Sequence, residues 1–179
     1  MSYPNFVSGD VLTAADMNAV GLWLVKTQTI GAGVPSVVVN DAFSSDYEDY
    51  LVTVTGGTST AVTVLTIQMG ATTSGYKWSL IYNIYGTTGI TAISSAAGTS
   101  FNYMGIGLTA GGGGLNMAAQ ILSPQLAKNT HARTLWSASS EAGTSNGVIE
   151  NSTQYTGFTL GVSTGTITGG TIRVYGYRK

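Results

Sequence analysis

The stretch Tyr76 to Tyr85 alternates so regularly that it leaves little choice of secondary structure. Tyr76, Trp78, Leu80, Tyr82 and Ile84 fall on one side, and Lys77, Ser79, Ile81, Asn83 and Tyr85 on the other. A period of two with one apolar side marks a strand that buries one face. Related runs occupy Leu22 to Ile30, Ser36 to Val39, Tyr50 to Thr55 and Val62 to Met69. Further runs lie at Gly89 to Ser94, Phe101 to Thr109, Leu115 to Leu122 and His131 to Ser139, and the last three at Gly147 to Thr153, Tyr155 to Ser163 and Thr171 to Arg178. Turn signals separate them, among them Gly31-Ala32-Gly33, Asn40-Asp41, Gly56-Gly57 and the tetraglycine Gly111 to Gly114. About ten short strands at near-regular spacing predict an all-β chain: an antiparallel, jelly-roll-like β-sandwich over residues 22–179.

One segment breaks the pattern. In FVSGDVLTAADMNAV, Phe6 to Val20, Thr13 is placed to cap a helix and Asp16 follows three residues later. Ala14 to Ala19 allow about two turns before Gly21 ends them. A helix that short does not hold itself together in water and must lie against something. Residues 1–21 are therefore read as an amino-terminal arm and short helix for attachment to a particle or a sister subunit. Phe6, Val11, Leu12, Met17 and Val20 are the candidate contact residues.

Charge excludes several functions. Charged residues make up 8% of the chain and the formal net charge is -1. A nucleic-acid partner would need a basic stripe, and none is present. With 43% hydrophobic residues the chain is expected to fold rather than remain disordered. No apolar run approaches the ~20 residues of a membrane-spanning helix. There is no cysteine, hence no disulfide framework or thiol chemistry. MSYPNFVSGD lacks the basic and apolar regions of a signal peptide, so synthesis in a cytoplasm is expected.

Catalytic constellations are sparse. His131 is the only histidine, HARTLW supplies it no recognisable partner, and no Gly-x-Ser-x-Gly elbow occurs. Glu141 and Glu150 are the one candidate glycosidase pair, but both sit beside Gly, Ser and Asn in loop-like sequence and read as solvated surface. Asp41, Asp46, Glu48 and Asp49 cluster without the spacing or glycine of a calcium loop, and Tyr47 and Tyr50 among them are expected to pack inward. The tetraglycine has neither the lysine nor the following helix of a phosphate site. No cofactor, metal or catalytic residue is expected.

The carboxy-terminal strand is more informative. Arg173, Tyr175, Tyr177 and Lys179 share one face while Ile172 and Val174 take the other. Tyr and Arg together favour a binding surface, because each gives contact area with a polar handle. A subunit interface is the first expectation for that face, and a host glycan the second. Trp23, Trp78 and Trp136 are assigned to the core or to interfaces.

Three segments in order along the chain carry a resemblance. FVSGDVLTAADMNAV resembles the opening of many bacteriophage tail-fibre and minor tail proteins. AFSSDYEDYLVTV, from Ala42, resembles an Ala-Phe-Ser…Tyr-x-x-Tyr segment of the same group. GTITGGTIRVYGYRK, from Gly165, is similar to the closing strand of phage virion appendage domains. The resemblance implies a non-enzymatic virion structural protein, commonly a homotrimer, contacting other phage structural proteins on the tail or the capsid surface. The alternatives it leaves are a capsid decoration or head-fibre protein, a receptor tip for a host surface glycan, and last a polysaccharide depolymerase. The collagen-like, coiled-coil or β-helical shaft of long fibres is not found in this sequence.

Overall fold

The computed structural model describes residues 21–178 together with Gly9 and Val11. The expected helix, with Phe6, Leu12, Met17 and Val20, lies outside the described residues. Val11 is exposed. Among the described residues the helical content is a single 3-10 turn, Ala110–Gly112, and the rest is strand and loop.

Fourteen strands are described: β1 (Leu22–Thr29), β2 (Ser36–Val39), β3 (Tyr47–Gly56), β4 (Thr58–Ser59), β5 (Thr63–Met69), β6 (Tyr76–Ile84) and β7 (Ile90–Gly98) in the first half. The second half holds β8 (Phe101–Gly107), β9 (Leu115–Leu122), β10 (Thr130–Ser137), β11 (Glu141–Ile149), β12 (Phe158–Val162), β13 (Ile167–Thr168) and β14 (Thr171–Arg178). Every pairing is antiparallel. The short strands β4 and β13 pair with each other, and the other twelve form one hydrogen-bonded sheet that forks at β9. Along its full length β9 pairs with β3. On its other edge, Leu115 to Met117 pair with β8 and Ala119 to Leu122 pair with β10. One run is therefore β1-β14-β3-β9-β10-β11-β6-β7, and the other, β8-β5-β12-β2, packs over part of it.

The core lies between the two runs, which makes the protein sandwich-like. From the first run come Tyr50, Val52, Val54, Met117, Ala119, Ile121, Ile172 and Val174; from the second, Leu65, Ile67, Met69, Phe101, Met104, Phe158 and Leu160. Along β3, β5 and β9 these residues alternate with exposed or half-exposed neighbours, as a half-buried sheet requires. Tyr76 is fully buried, accepts a 2.7 Å hydrogen bond from the Met69 amide and donates to the Thr72 carbonyl at 3.2 Å. Burial pushes its phenol well above the usual tyrosine range, because the charged form would have to leave water. A second cluster, Leu80, Ile106 and Trp136, continues the core beneath β6, with Trp78, Tyr82 and Tyr103 half-buried around it.

Two expectations are corrected. The sequence around Glu141 reads as loop, yet β11 starts at Glu141, and its Ala, Gly, Thr, Ser and Asn residues hold an extended conformation because β10 and β6 pair with it on both sides. In β1, unbroken alternation places Trp23, Val25, Thr27 and Thr29 on one face and Leu24, Lys26, Gln28 and Ile30 on the other, and Trp23 and Val25 are half-buried. A bulge between Leu24 and Lys26 then switches the faces, so that Gln28 and Ile30 turn inward while Thr27 and Thr29 are exposed. The tetraglycine does connect two antiparallel neighbours, β8 and β9.

Candidate binding face

The register of the long run builds a broad outer face. Opposite Tyr175 stand Leu24 on β1 and Leu51 on β3. Leu51 in turn faces Gln120, Gln120 faces Arg133, Arg133 faces Asn146, and Asn146 faces Ser79. One step along, Arg173 faces Thr53, and Thr53 faces Ala118. Further across the same step, Leu135 faces Thr144, Thr144 faces Ile81, and Ile81 faces Ala92. Since same-face residues oppose each other in antiparallel pairs, all these side chains lie on the side away from the core.

Polar groups on this face are held by one another. Arg133 Nε donates to Gln120 Oε1 at 2.6 Å, and Gln120 Nε2 donates to the Tyr177 hydroxyl at 3.1 Å. Arg173 Nη1 donates to Thr55 Oγ1 at 3.1 Å. Neither arginine is ion-paired among the described residues. Leu51, Gln120, Arg133, Leu135, Thr144 and Asn146 line a shallow cavity of about 480 Å³ on this face. Such a surface offers apolar and aromatic contact area, two guanidinium groups and several amide and hydroxyl partners. It has the equipment for binding.

Arg173, Tyr175 and Tyr177 thus sit where the sequence put them, with Ile172 and Val174 buried on the opposite side. Lys179 lies outside the described residues. The sequence reading missed Leu51, Gln120, Arg133 and Leu135. Its signal was present in β10, where exposed His131, Arg133 and Leu135 alternate with buried Ala132, Thr134 and Trp136. Alternation identifies the outer face but says nothing about which other strands share it.

The remaining candidates are dispersed. Glu141 and Glu150 bracket β11, and at ~3.4 Å per residue they are roughly 30 Å apart, far beyond the separation of a glycosidase pair. Glu150 is ion-paired with Lys77 at 2.6 Å at the surface. Glu48 meets Lys128 at 3.4 Å, and Asp49 Oδ1 accepts from the Ser123 amide at 3.0 Å. His131 opens onto the same polar recess as these last groups. Tyr50 is buried, its hydroxyl donating to the Ser44 carbonyl and accepting from the Ser44 amide, each at 2.7 Å. The acidic cluster is thereby a turn anchored from inside by an aromatic ring. Among the described residues no three acidic or imidazole side chains converge as a metal site, and no helix is long and apolar enough to cross a membrane.

Comparison with known protein families, with curated proteins and with solved structures finds no match.

Proposed function

We propose that this chain is a bacteriophage virion structural protein, an oligomeric tail-fibre or appendage module that acts by packing and pairing rather than by turnover. The observation that carries the reading is the strand order. The runs β1-β14-β3-β9 and β2-β12-β5-β8 support a jelly roll of eight strands, with the hairpins β6–β7 and β10–β11 inserted to prolong one sheet. Jelly rolls build viral capsid and lectin domains. Because a fold hosts many functions, the three sequence segments that resemble phage tail-fibre and appendage proteins supply the rest of the argument.

In this reading residues 1–21 attach the module, the β domain of residues 22–179 is displayed on the virion surface, and three copies associate. A capsid decoration or head-fibre protein is the same reading at another place on the particle. Deletion of residues 1–20 is expected to leave a folded β domain, seen by circular dichroism, that no longer joins particles assembled in its presence. Normal incorporation of the truncated chain would overturn the assignment of the arm.

A second reading is favoured by the outer face. The row Arg133, Gln120 and Tyr177, with Tyr175 and Leu51 beside it, suits a host surface glycan, which binds by stacking on rings and by hydrogen bonds to hydroxyls. In a pull-down on host cell-wall polysaccharide, Arg133→Ala with Tyr175→Ala is expected to reduce retention at least tenfold. Equal retention of the double variant and the parent would count against this use of the face.

A further inference from the structure

Among the described residues the sheet ends on three edge strands, and they are not alike. β1 carries a bulge and Lys26, and β2 is four residues long; both features discourage another strand from adding. β7 has neither protection over most of its length. Its nine residues, ITAISSAAG, contain no charge and no proline. A register shift against β6 falls at its far end, near Ala96 and Ala97, and leaves Ile90 to Ser95 in regular pairing. The chain bears no charged residue at all between Lys77 and Lys128.

Among the described residues both faces of this edge are open and largely apolar. On the outer side Ile90 is 74% exposed, Leu135 79% and Ile81 48%; with Ala92 they form one patch across β7, β6 and β10. On the inner side the second run of strands ends before reaching β7, leaving Ile93 and Ile84 exposed beside half-buried Tyr82. A long, uncharged edge flanked by apolar side chains is a template for strand addition.

We propose that β7 pairs antiparallel with β7 of a second copy of this chain, about a two-fold axis through Ala92. That axis keeps the faces in phase, since only same-face residues oppose each other. On the outer side Ala92 meets Ala92 and Ile90 meets Ser94; on the inner side Thr91 meets Ile93. No like charges come together, since β7 carries none. The axis falls on a small side chain. The two patches of Ile81, Ile90 and Leu135 become neighbours across it, so apolar surface leaves water on the same side in both copies. The outward-facing amides and carbonyls of each edge, which β6 does not use, supply the other's partners.

This contact goes beyond the proposed function. A two-fold contact cannot close a ring of three, so it adds to any three-fold association and doubles whatever assembly the rest of the chain makes. The test is the mass of the full chain by sedimentation velocity and light scattering, for the parent, Ala92→Glu, Ala92→Lys and an equimolar mixture of the two variants. Ala92 is exposed, and both variants are expected to keep the parent's circular dichroism spectrum. The parent is expected at an even number of chains, each variant at half that mass, and the mixture back at the parent's mass through Glu–Lys pairing across the axis. A parent with an odd number of chains, an Ala92→Glu variant of unchanged mass, or a mixture that stays at half mass would each overturn the pairing. The three-fold reading is judged separately, by whether the variants contain three chains or one.

Discussion

Gly57→Ala is expected to destabilise the protein by about 3 kcal/mol or more, although it adds a single methyl group at a turn. The chain there makes two Gly-Gly turns that lie against each other, Gly56-Gly57 at the end of β3 and Gly169-Gly170 before β14. All four glycines have positive φ, +71° and +70° in the first turn and +67° and +93° in the second. A Cβ on Gly57 would collide with the Gly169 carbonyl, which is backbone and cannot swing aside. The second turn is fixed in its turn: the Ile30 amide donates to the Gly170 carbonyl at 3.0 Å, and the Gly169 amide donates to the Gly31 carbonyl at 2.9 Å. A left-handed residue with a Cβ costs roughly 1–2 kcal/mol, and forcing extra volume into a packed site costs about 1–3 kcal/mol more. Because the turns stand where β3 and β14 enter their shared ladder, the strain falls on the pairing that joins β14 and β1 to the rest of the long run. Urea unfolding gives the test: a parallel shift of the curve to lower midpoint is expected, and a loss below about 1 kcal/mol would show that the two turns can separate freely.

Phe101→Ala is expected to cost about 3–5 kcal/mol, the range for removing a buried phenylalanine ring when the cavity does not collapse. Phe101 opens β8, is fully buried, and meets Tyr76 edge-on at 5.1 Å between ring centres with the planes 84° apart. The ring therefore ties the second run of strands to the extension formed by β6 and β11. Collapse is opposed from several sides. Tyr76 is held by its two hydrogen bonds, and Gly147 on β11 lies so close that a Cβ there would be 2.7 Å from the ring. Thermal and urea unfolding are expected to show the full loss with the native β spectrum retained at low temperature. A loss under about 1.5 kcal/mol would mean that the neighbours repack over the gap.

The candidate face shows how far a single sequence reaches. Arg173, Tyr175 and Tyr177 were legible because a period of two and the apolar Ile172 and Val174 between them determine which way each side chain points. Gln120, Arg133 and Leu135 were equally regular within their own strands. Their membership of the same surface depends on β14, β3, β9 and β10 standing side by side; β9 and β10 are consecutive, but Leu51 and Gln120, and Leu51 and Tyr175, meet across long stretches of chain with no local signal joining them. Pairing is a long-range choice made by the buried faces together, not by any one strand.

By itself the sequence determined that the chain is built of antiparallel strands, that Tyr76 and Leu80 and, in the closing strand, Ile172 and Val174 turn inward, and that Tyr50 is buried within an acidic segment. These follow from local periodicity, which a half-buried strand imposes wherever it sits. Ile84, expected on the buried face of its strand, is exposed because the second run of strands does not reach it. Only the tertiary structure decided that β11 begins at Glu141, that a bulge near Val25 reverses β1, and that, among the described residues, β7 ends the sheet as an open, uncharged edge. Each of these depends on what lies beside the strand: two partners can hold a weak strand former extended, a bulge exists only against a partner, and an edge is defined by the neighbour it lacks.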